Sequence, residues 1–432
     1  MKMKKGDIKM KVTFDKQILL AALTPAASIS QSKNTLVSVD GLLFECPPNQ
    51  KYGDYDTDNK NTCRISAFDL EKGLRTTIEC NVYEEGMYVI NTVKILQIVR
   101  SMPDGNITIE IDNGGHVNIT GGMSHFEITA TPGDDFPTMP MFIGERVYKI
   151  PQYRLKNVIS ETVFAVAQND QRAAFNGELF KIKDGSLTVV GCDGNRLAAS
   201  SFSLKDNNAE VPDAEIIIPG KFLGELSKMI RDTEDEVTMI VGRKHVIFKI
   251  EEIYFFTRVL ECEYINYEKL LPTSYMTEAY ISRRELLSSI ERAAIVTEDK
   301  LGGAGRAPHV KLDFSDKVIE MSSVSSGGSV YERVPAAIDG ADISIGFNCR
   351  FLLEALKSCP PECDRVRIRM NTPLMGILIE PAVGPTFINA HPDVSVYGER
   401  AKDINPANPP YEDDEKETNM FMYFVMPVRM NK

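Results

Sequence analysis

The sequence contains no run of about 18 apolar residues, so no transmembrane helix is expected and no membrane partner is implied. It also lacks the paired Cys-x-x-Cys units of a zinc site. Its eight cysteines are Cys46, Cys63, Cys80, Cys192, Cys262, Cys349, Cys359 and Cys363, scattered except for the last two, which flank Pro360 and Pro361. A chain of 432 residues needs no disulfide staples, so these read as free thiols in a reducing cytoplasm. No G-x-S-x-G, H-E-x-x-H or G-K-[ST] motif occurs, which removes the commonest hydrolase, metalloprotease and phosphate-loop readings. Gly302, Gly303 and Gly305 lack the dinucleotide spacing and read as a loop. The five histidines (His116, His125, His245, His309, His391) are isolated, so no metal and no cofactor is expected. Asp193 and Arg196 are the only suspects for catalysis, and Asp193-Gly194 is more often turn chemistry. The lysine-rich Met1 to Lys11 and apolar Ile18 to Leu23 resemble a signal peptide superficially. The apolar run is shorter than the roughly 7–15 residues required, and Asp15 and Lys16 precede it.

What is present is ordinary globular material, 43% hydrophobic and 25% charged, enough for about two to four domains. The chain repeats itself. Phe14, Leu19, Leu23 and Ala26 share their offsets with Ile150, Leu155, Ile159 and Thr162, and with Ile281, Leu286, Ile290 and Ala293. Each set is a short β-like stretch followed by apolar residues at helical spacing. Asp15 and Ser282 suit N-caps, and Pro151 suits an early helical turn. A second helix follows in each copy, marked by Lys94-Ile95-Leu96, Lys221-Phe222-Leu223 and Arg350-Phe351-Leu352. Alternating strands such as Asn106 to Ile111, Val237 to Val241 and Val366 to Met370 lie beyond them. The expected class is α+β: three repeated domains of antiparallel sheet with two helices each, at 10–143, 145–272 and 278–432. The third copy carries an acidic, proline-rich insertion over 403–419, expected to be a solvated loop.

Charge divides by element. The six helix windows hold thirteen Lys and Arg against six Asp and Glu, +7 in a chain of net −12, leaving −19 for strands and loops. Dipole complementation covers cations late in a helix, such as Arg231 and Lys357. It does not cover Lys94, Arg154, Lys221 or Arg350. Six helices lining one surface would make a basic lining on an acidic body, which suits a polyanion.

The ending Tyr423-Phe424-Val425-Met426-Pro427-Val428-Arg429-Met430, the Cys192 to Leu197 segment, Gln171-Arg172 through Asn176-Gly177, and Gly346-Phe347-Asn348 resemble the bacterial DNA polymerase III β subunit family, the sliding clamps. The resemblance implies the DNA clamp fold and a head-to-tail homodimer whose six domains form a ring around duplex DNA. It implies a non-catalytic, cytoplasmic processivity factor of DNA replication. Sequence-independent DNA contacts carry over to Lys33, Arg100, Asn169 and Lys221. A groove for short linear peptides of the replicative polymerase, clamp loader and repair proteins carries over to Phe175, Cys192, Gly194, Asn195, Arg196, Leu197, Ile265, Leu270, Phe424, Met426, Pro427, Val428 and Arg429. In this reading Arg196 and Arg429 rim the groove. The subunit boundary would bring Phe126 and Ile128 near Ile295 and Val296. The family often has leucine, threonine and proline where Phe175, Cys192 and Ile265 stand.

Overall fold

A computed structural model describes residues 8–29, 41–47, 61–139, 146–272, 275–297, 309–325, 328–360, 362–382 and 420–429. Lys33, the glycine run at 302–305 and the acidic 403–419 segment lie outside the described residues.

The same element order occurs three times, with one extra short strand, Asn81–Glu84, in the first copy. The first repeat contains β1 (Ile8–Asp15), α1 (Lys16–Ile29), β2 (Gly41–Cys46), β3 (Thr62–Phe68), β4 (Lys72–Glu79), β5 (Asn81–Glu84), β6 (Gly86–Asn91), α2 (Thr92–Ser101), β7 (Asn106–Asp112), β8 (His116–Gly121) and β9 (Ser124–Pro132). The second contains β10 (Arg146–Pro151), α3 (Gln152–Thr162), β11 (Gly177–Lys183), β12 (Ser186–Cys192), β13 (Arg196–Ser203), β14 (Ala214–Pro219), α4 (Gly220–Met229), β15 (Glu236–Val241), β16 (His245–Ile250) and β17 (Ile253–Arg258). The third contains β18 (Thr277–Ser282), α5 (Arg283–Thr297), β19 (His309–Ser315), β20 (Val318–Ser325), β21 (Gly328–Gly340), β22 (Ile343–Asn348), α6 (Cys349–Ser358), β23 (Arg365–Met370), β24 (Ile377–Pro381) and β25 (Met420–Val425).

Local chemistry sets the helix starts. Asp15 Oδ1 accepts from the Gln17 N–H at 2.8 Å, and Asn91 and Asn348 Oδ1 accept from Lys94 and Arg350 N–H, each at 3.0 Å. Ser282 Oγ accepts from Glu285 N–H at 3.4 Å. Pro151 falls one step earlier than expected: it closes β10, paired with Glu236, and α3 begins at Gln152. Strand β10 is an edge strand of its sheet, where proline's missing N–H is tolerated.

The chain forms two compact units. One comprises Met1–Gln152 with Lys228–Val259, the other Tyr153–Ser227 with Leu260–Lys432. Each unit holds one antiparallel sheet. The first sheet runs β10-β15-β16-β17-β4-β3-β2-β6-β9-β8-β7-β1-β5. The second runs β14-β11-β12-β13-β25-β24-β23-β18-β21-β20-β19-β22. The second repeat's strands are thus shared: β10 and β15–β17 continue the first repeat's sheet, and β11–β14 continue the third's. Two joints make this sharing, β17 on β4 and β13 on β25. In each, the fourth strand of one repeat's sheet pairs with the last strand of the following repeat.

The helices bury one face. Leu19, Leu23 and Ala26 of α1 and Ile95 and Val99 of α2 are buried, as are Leu286, Ile290 and Ala293 of α5 and Leu352, Ala355 and Leu356 of α6. The α5 and α6 residues join Val310, Phe314, Ile345, Phe421 and Tyr423 in one core. Their polar faces carry the helix cations.

Candidate functional site

The groove residues are brought together by the β13–β25 joint. Leu197 stands opposite Phe424, and Arg196 opposite Val425. Beyond the paired strands, the Met426 N–H donates to Asn195 O at 2.9 Å and the Val428 N–H to Gly346 O at 2.8 Å, which fix the C-terminal segment. Phe175, Cys192, Leu197 and Phe424 belong to one apolar cluster with Tyr264, Tyr267, Leu378 and Met422, and Ile265 packs against it. The four named first are almost wholly covered, at 5%, 2%, 2% and 6% exposure, so they form a floor. Leu270 and Met426, 51% and 39% exposed, stand open beside them. Apolar side chains open to water next to a closed apolar floor are what a short peptide's anchors would cover.

Two glycines shape this surface. Gly194 has φ +90°, a left-handed conformation that frees the Asp193-Gly194-Asn195 turn. Asp193 closes that turn: its Oδ1 accepts from the Asn195 N–H at 2.8 Å and the Arg196 N–H at 3.0 Å. The carboxylate suspected of acid chemistry is therefore occupied by its own turn. Gly376 lies beneath the Phe424 ring, where a Cβ would come within 2.3 Å of a ring carbon.

Arg196 does not rim the groove. It is buried at 9% exposure, and its guanidinium is committed inward. Nε donates to Asp193 Oδ2 at 3.0 Å, Nη2 to Phe164 O at 2.6 Å, and Nη1 to Glu354 Oε2 of α6. It also lies over the Phe351 ring, 4.6 Å from its centroid. Glu354 takes a second bond from Arg350 Nε at 2.7 Å. Burial opposes the Glu354 charge, but these two arginines overcome it and hold its carboxyl below the usual range. A residue with five donors in a planar fork serves here as the strut between the second repeat's β13 and the third repeat's α6. Arg429 is exposed and remains at the edge.

Arg172, outside the expected set, belongs to the same surface. Its guanidinium stacks on Phe175 at 4.0 Å and grips Asp170 through Nε and Nη2 at 2.9 and 3.0 Å, which holds Asp170 down to about 2. The sequence signal was present, since Gln171-Arg172 belongs to one of the four recognised stretches. Burial pushes the Cys192 thiol up to about 11, so it behaves as an apolar floor residue.

A buried acid lies in the same unit. Glu178 on β11 is fully covered. Thr162 is near, but its hydroxyl donates to Val158 O at 2.7 Å, and neither Glu178 oxygen has a hydrogen-bond partner among the described residues. Burial pushes its carboxyl up to about 8.

Ten of the thirteen helix cations fall into two groups. Lys16, Arg231, Arg292, Arg350 and Lys357 are paired with Asp104, Glu251, Glu332, Glu354 and Glu291. Lys94, Arg100, Lys221, Lys228 and Arg284 are exposed, and among the described residues none has an ion pair. Lys221 Nζ donates to Asn169 Oδ1 at 2.9 Å, and Asn169 has φ +67°. The neutral partner positions the amine and leaves its charge uncompensated. Two expected DNA contacts are thus joined directly, and Arg100 is exposed on α2. Lys94 is one of the early-helix cations that dipole complementation leaves unexplained, whereas Lys228 and Arg284 enter only through the charge division.

At the other predicted site, Phe126 is 37% exposed on β9 and Ile295 is 78% exposed on α5. Val296 approaches Gly328 of β21, where a Cβ would lie 4.0 Å from Val296 Cγ1.

Comparison with known proteins agrees with this architecture. Family models described as the N-terminal, central and C-terminal domains of the DNA polymerase III beta subunit match residues 10–140, 149–266 and 268–393. A beta sliding clamp from Halalkalibacterium halodurans is 28% identical over 351 residues, covering 81% of this chain and 90% of that protein. The beta sliding clamp of Bacillus subtilis is 28% identical over 355 residues, with the same coverage. Among solved structures, a DNA polymerase III beta subunit from Eubacterium rectale superposes with TM-score 0.81 at 26% identity, covering 98% of this chain and all of that one. The fold is likewise that of the Bacillus subtilis sliding clamp, TM-score 0.81 at 24% identity over 98% of this chain and all of that one. With its three domains matched in order along most of its length, the chain belongs to the DNA polymerase III beta subunit family.

Proposed function

We propose that this protein is a DNA sliding clamp, a non-catalytic processivity factor of the cytoplasm. Two copies join head to tail, encircle duplex DNA, and tether the replicative polymerase, clamp loader and repair proteins through the groove at Phe175, Leu197, Leu270, Phe424 and Met426.

The observation that carries this reading is the recurring joint, which occurs twice within the chain and is left open a third time. One continuous row of paired residues is Ile240, Ile247, Phe256, Gly73 and Phe68. The matching row is Arg369, Leu378, Phe424, Leu197 and Cys192. The third row exists only as separate halves: Glu110, Asn118 and Glu127 on one side, Ser329 and Val324 on the other. Among the described residues, 124–129 of β9 pair only with β8, and 328–335 of β21 pair only with β20. Exposed edges of this kind invite another strand.

Joining the halves between two chains sets Glu127 opposite Ser329, Phe126 opposite Val330, and Ile128 opposite Gly328. Ile128 then meets Val296, and exposed Phe126, Ile295 and Tyr331 become covered. Each chain offers one β9 edge and one β21 edge, so copies join head to tail, and the proposed ring is the one that two copies close. The unpaired cations Lys94, Arg100, Lys221, Lys228 and Arg284, with Asn169 beside Lys221, supply phosphate contacts that do not read sequence. Lys33 is proposed as a further contact from its sequence position alone.

The test is sedimentation of the full chain together with trans cross-linking. Phe126→Cys combined with Val330→Cys should give a covalent dimer on oxidation, because directly opposed strand positions lie within disulfide reach. Monomers at micromolar concentration, or cross-links only within one chain, would refute the proposed joint.

A further inference from the structure

Cys359 and Cys363, which follow α6, lie outside the residues proposed above for DNA and peptide contact. The Cys363 N–H donates to Pro360 O at 2.9 Å, and Cys363 packs against the core cluster that holds Cys359. Cys359 Sγ donates to Ala355 O at 3.5 Å and Cys363 Sγ to Arg365 O at 3.2 Å. Their surroundings differ. Cys359 is 4% exposed in the third-repeat core, whereas Cys363 is half-buried and open to a reagent. Arg283, the first residue of α5, holds both ends of the turn: its Nη1 donates to Cys359 O at 3.0 Å and its N–H to Asp364 O at 2.9 Å. The hydrogen bond from Cys359 holds the Cys363 thiol below its ordinary range, against the effect of burial, and Arg283 adds to it. Burial keeps the Cys359 thiol high, so it is the proton-bearing partner.

We propose that Cys359 and Cys363 form a redox-modification site, an accessible nucleophilic sulfur beside a buried resolving one, that closes to a disulfide with low-molecular-weight disulfides. In the first step the Cys363 thiolate attacks one sulfur of the reagent. The reagent's S–S bond breaks, one thiolate leaves, and a mixed disulfide forms on Cys363. In the second, Cys359 loses its proton to solvent and attacks the Cys363 sulfur, expelling the second thiolate. Two protein thiols are oxidised by two electrons, and the reagent is reduced to two thiols.

The other clustered thiols provide the contrast. Cys46 and Cys63 adjoin the paired residues Glu45 and Arg64 of β2 and β3, and Cys80 follows β4. All three are buried, at 1%, 0% and 8% exposure; burial raises the Cys46 and Cys63 thiols, and the hydrogen bond with Cys46 followed by burial raises Cys80. Among these clustered thiols an intramolecular disulfide should therefore form at the pair after α6, whereas exposed Cys262, outside any cluster, can take only a mixed disulfide.

The full native chain is incubated with oxidised glutathione, its remaining thiols are alkylated, and it is examined by intact mass and peptide mapping. The expected product has one Cys359–Cys363 disulfide and is restored by dithiothreitol. Cys359→Ser should stop at a glutathione adduct on Cys363, and Cys363→Ser should lose reaction at this site. A disulfide formed only among Cys46, Cys63 and Cys80, a lasting glutathione adduct on Cys363 in the unmutated chain, or no reaction would each overturn the proposal. Should Cys359→Ser fail to fold, the map of the unmutated chain still decides.

Discussion

Phe424 faces Leu197 across the β25–β13 pair, and its ring closes over Gly376 at a distance no side chain can share. The proposed peptide groove therefore depends on a glycine just before β24. Gly376→Ala should push the ring aside and cost about 1–3 kcal/mol, as overpacking usually does. Affinity for a clamp-binding peptide, measured by fluorescence anisotropy, should fall at least tenfold while the dimer persists. Unchanged affinity would mean that the ring's position is irrelevant to binding.

Arg196 should matter for stability more than for contact. Arg196→Ala leaves Glu354 with only Arg350 and removes the strut between β13 and α6. The expected loss is about 3–5 kcal/mol in urea denaturation, the range for breaking a buried pair. Arg196→Lys should recover little, since one ammonium cannot reach Asp193, Glu354 and Phe164 O together. Full recovery by lysine would contradict the strut.

Glu178 makes stability depend on pH with a definite sign. Its folded value, about 8, lies above its ordinary 4.5. The stability linked to its proton is present in full below 4.5 and is lost as pH rises through 8. The total is on the order of 5 kcal/mol. Glu178→Gln should flatten this decline, visible as a smaller difference between urea midpoints at pH 5 and pH 9. An equal decline in both proteins would assign it to another group.

Salt dependence checks the basic helices. Lys94→Ala, Arg100→Ala and Lys221→Ala should each weaken DNA binding uniformly across sequences and lower the slope of log K against log salt by about one. Substitution of Lys357, already paired with Glu291 at 2.9 Å, should do much less. Equal effects at all four positions would show that pairing does not sort these cations.

Much of the fold was legible because apolar spacing repeats. Phe14, Ile150 and Ile281 do occupy matching places in β1, β10 and β18, and each helix window holds a helix. The sharing of the second repeat between two sheets was not legible, because an edge strand reads the same whether its partner comes from its own repeat or the next. Phe424 and Leu197 are assigned to the proposed groove by the resemblance of their stretches of sequence, and their pairing across two repeats is not legible there. The inward turn of Arg196 was hidden because Glu354 lies 158 positions away. Exposed Lys94 and paired Lys357 look alike in sequence for the same reason: their neighbours are set by packing.

Topology is tested most directly by loading the protein onto nicked circular duplex DNA with a clamp loader and following its retention in high salt before and after linearisation. Encirclement predicts long retention on the circle, because salt weakens phosphate contacts but cannot open a closed ring, and rapid loss once free ends allow sliding off. Equal retention on circular and linear DNA, or release from both at the same salt, would contradict it.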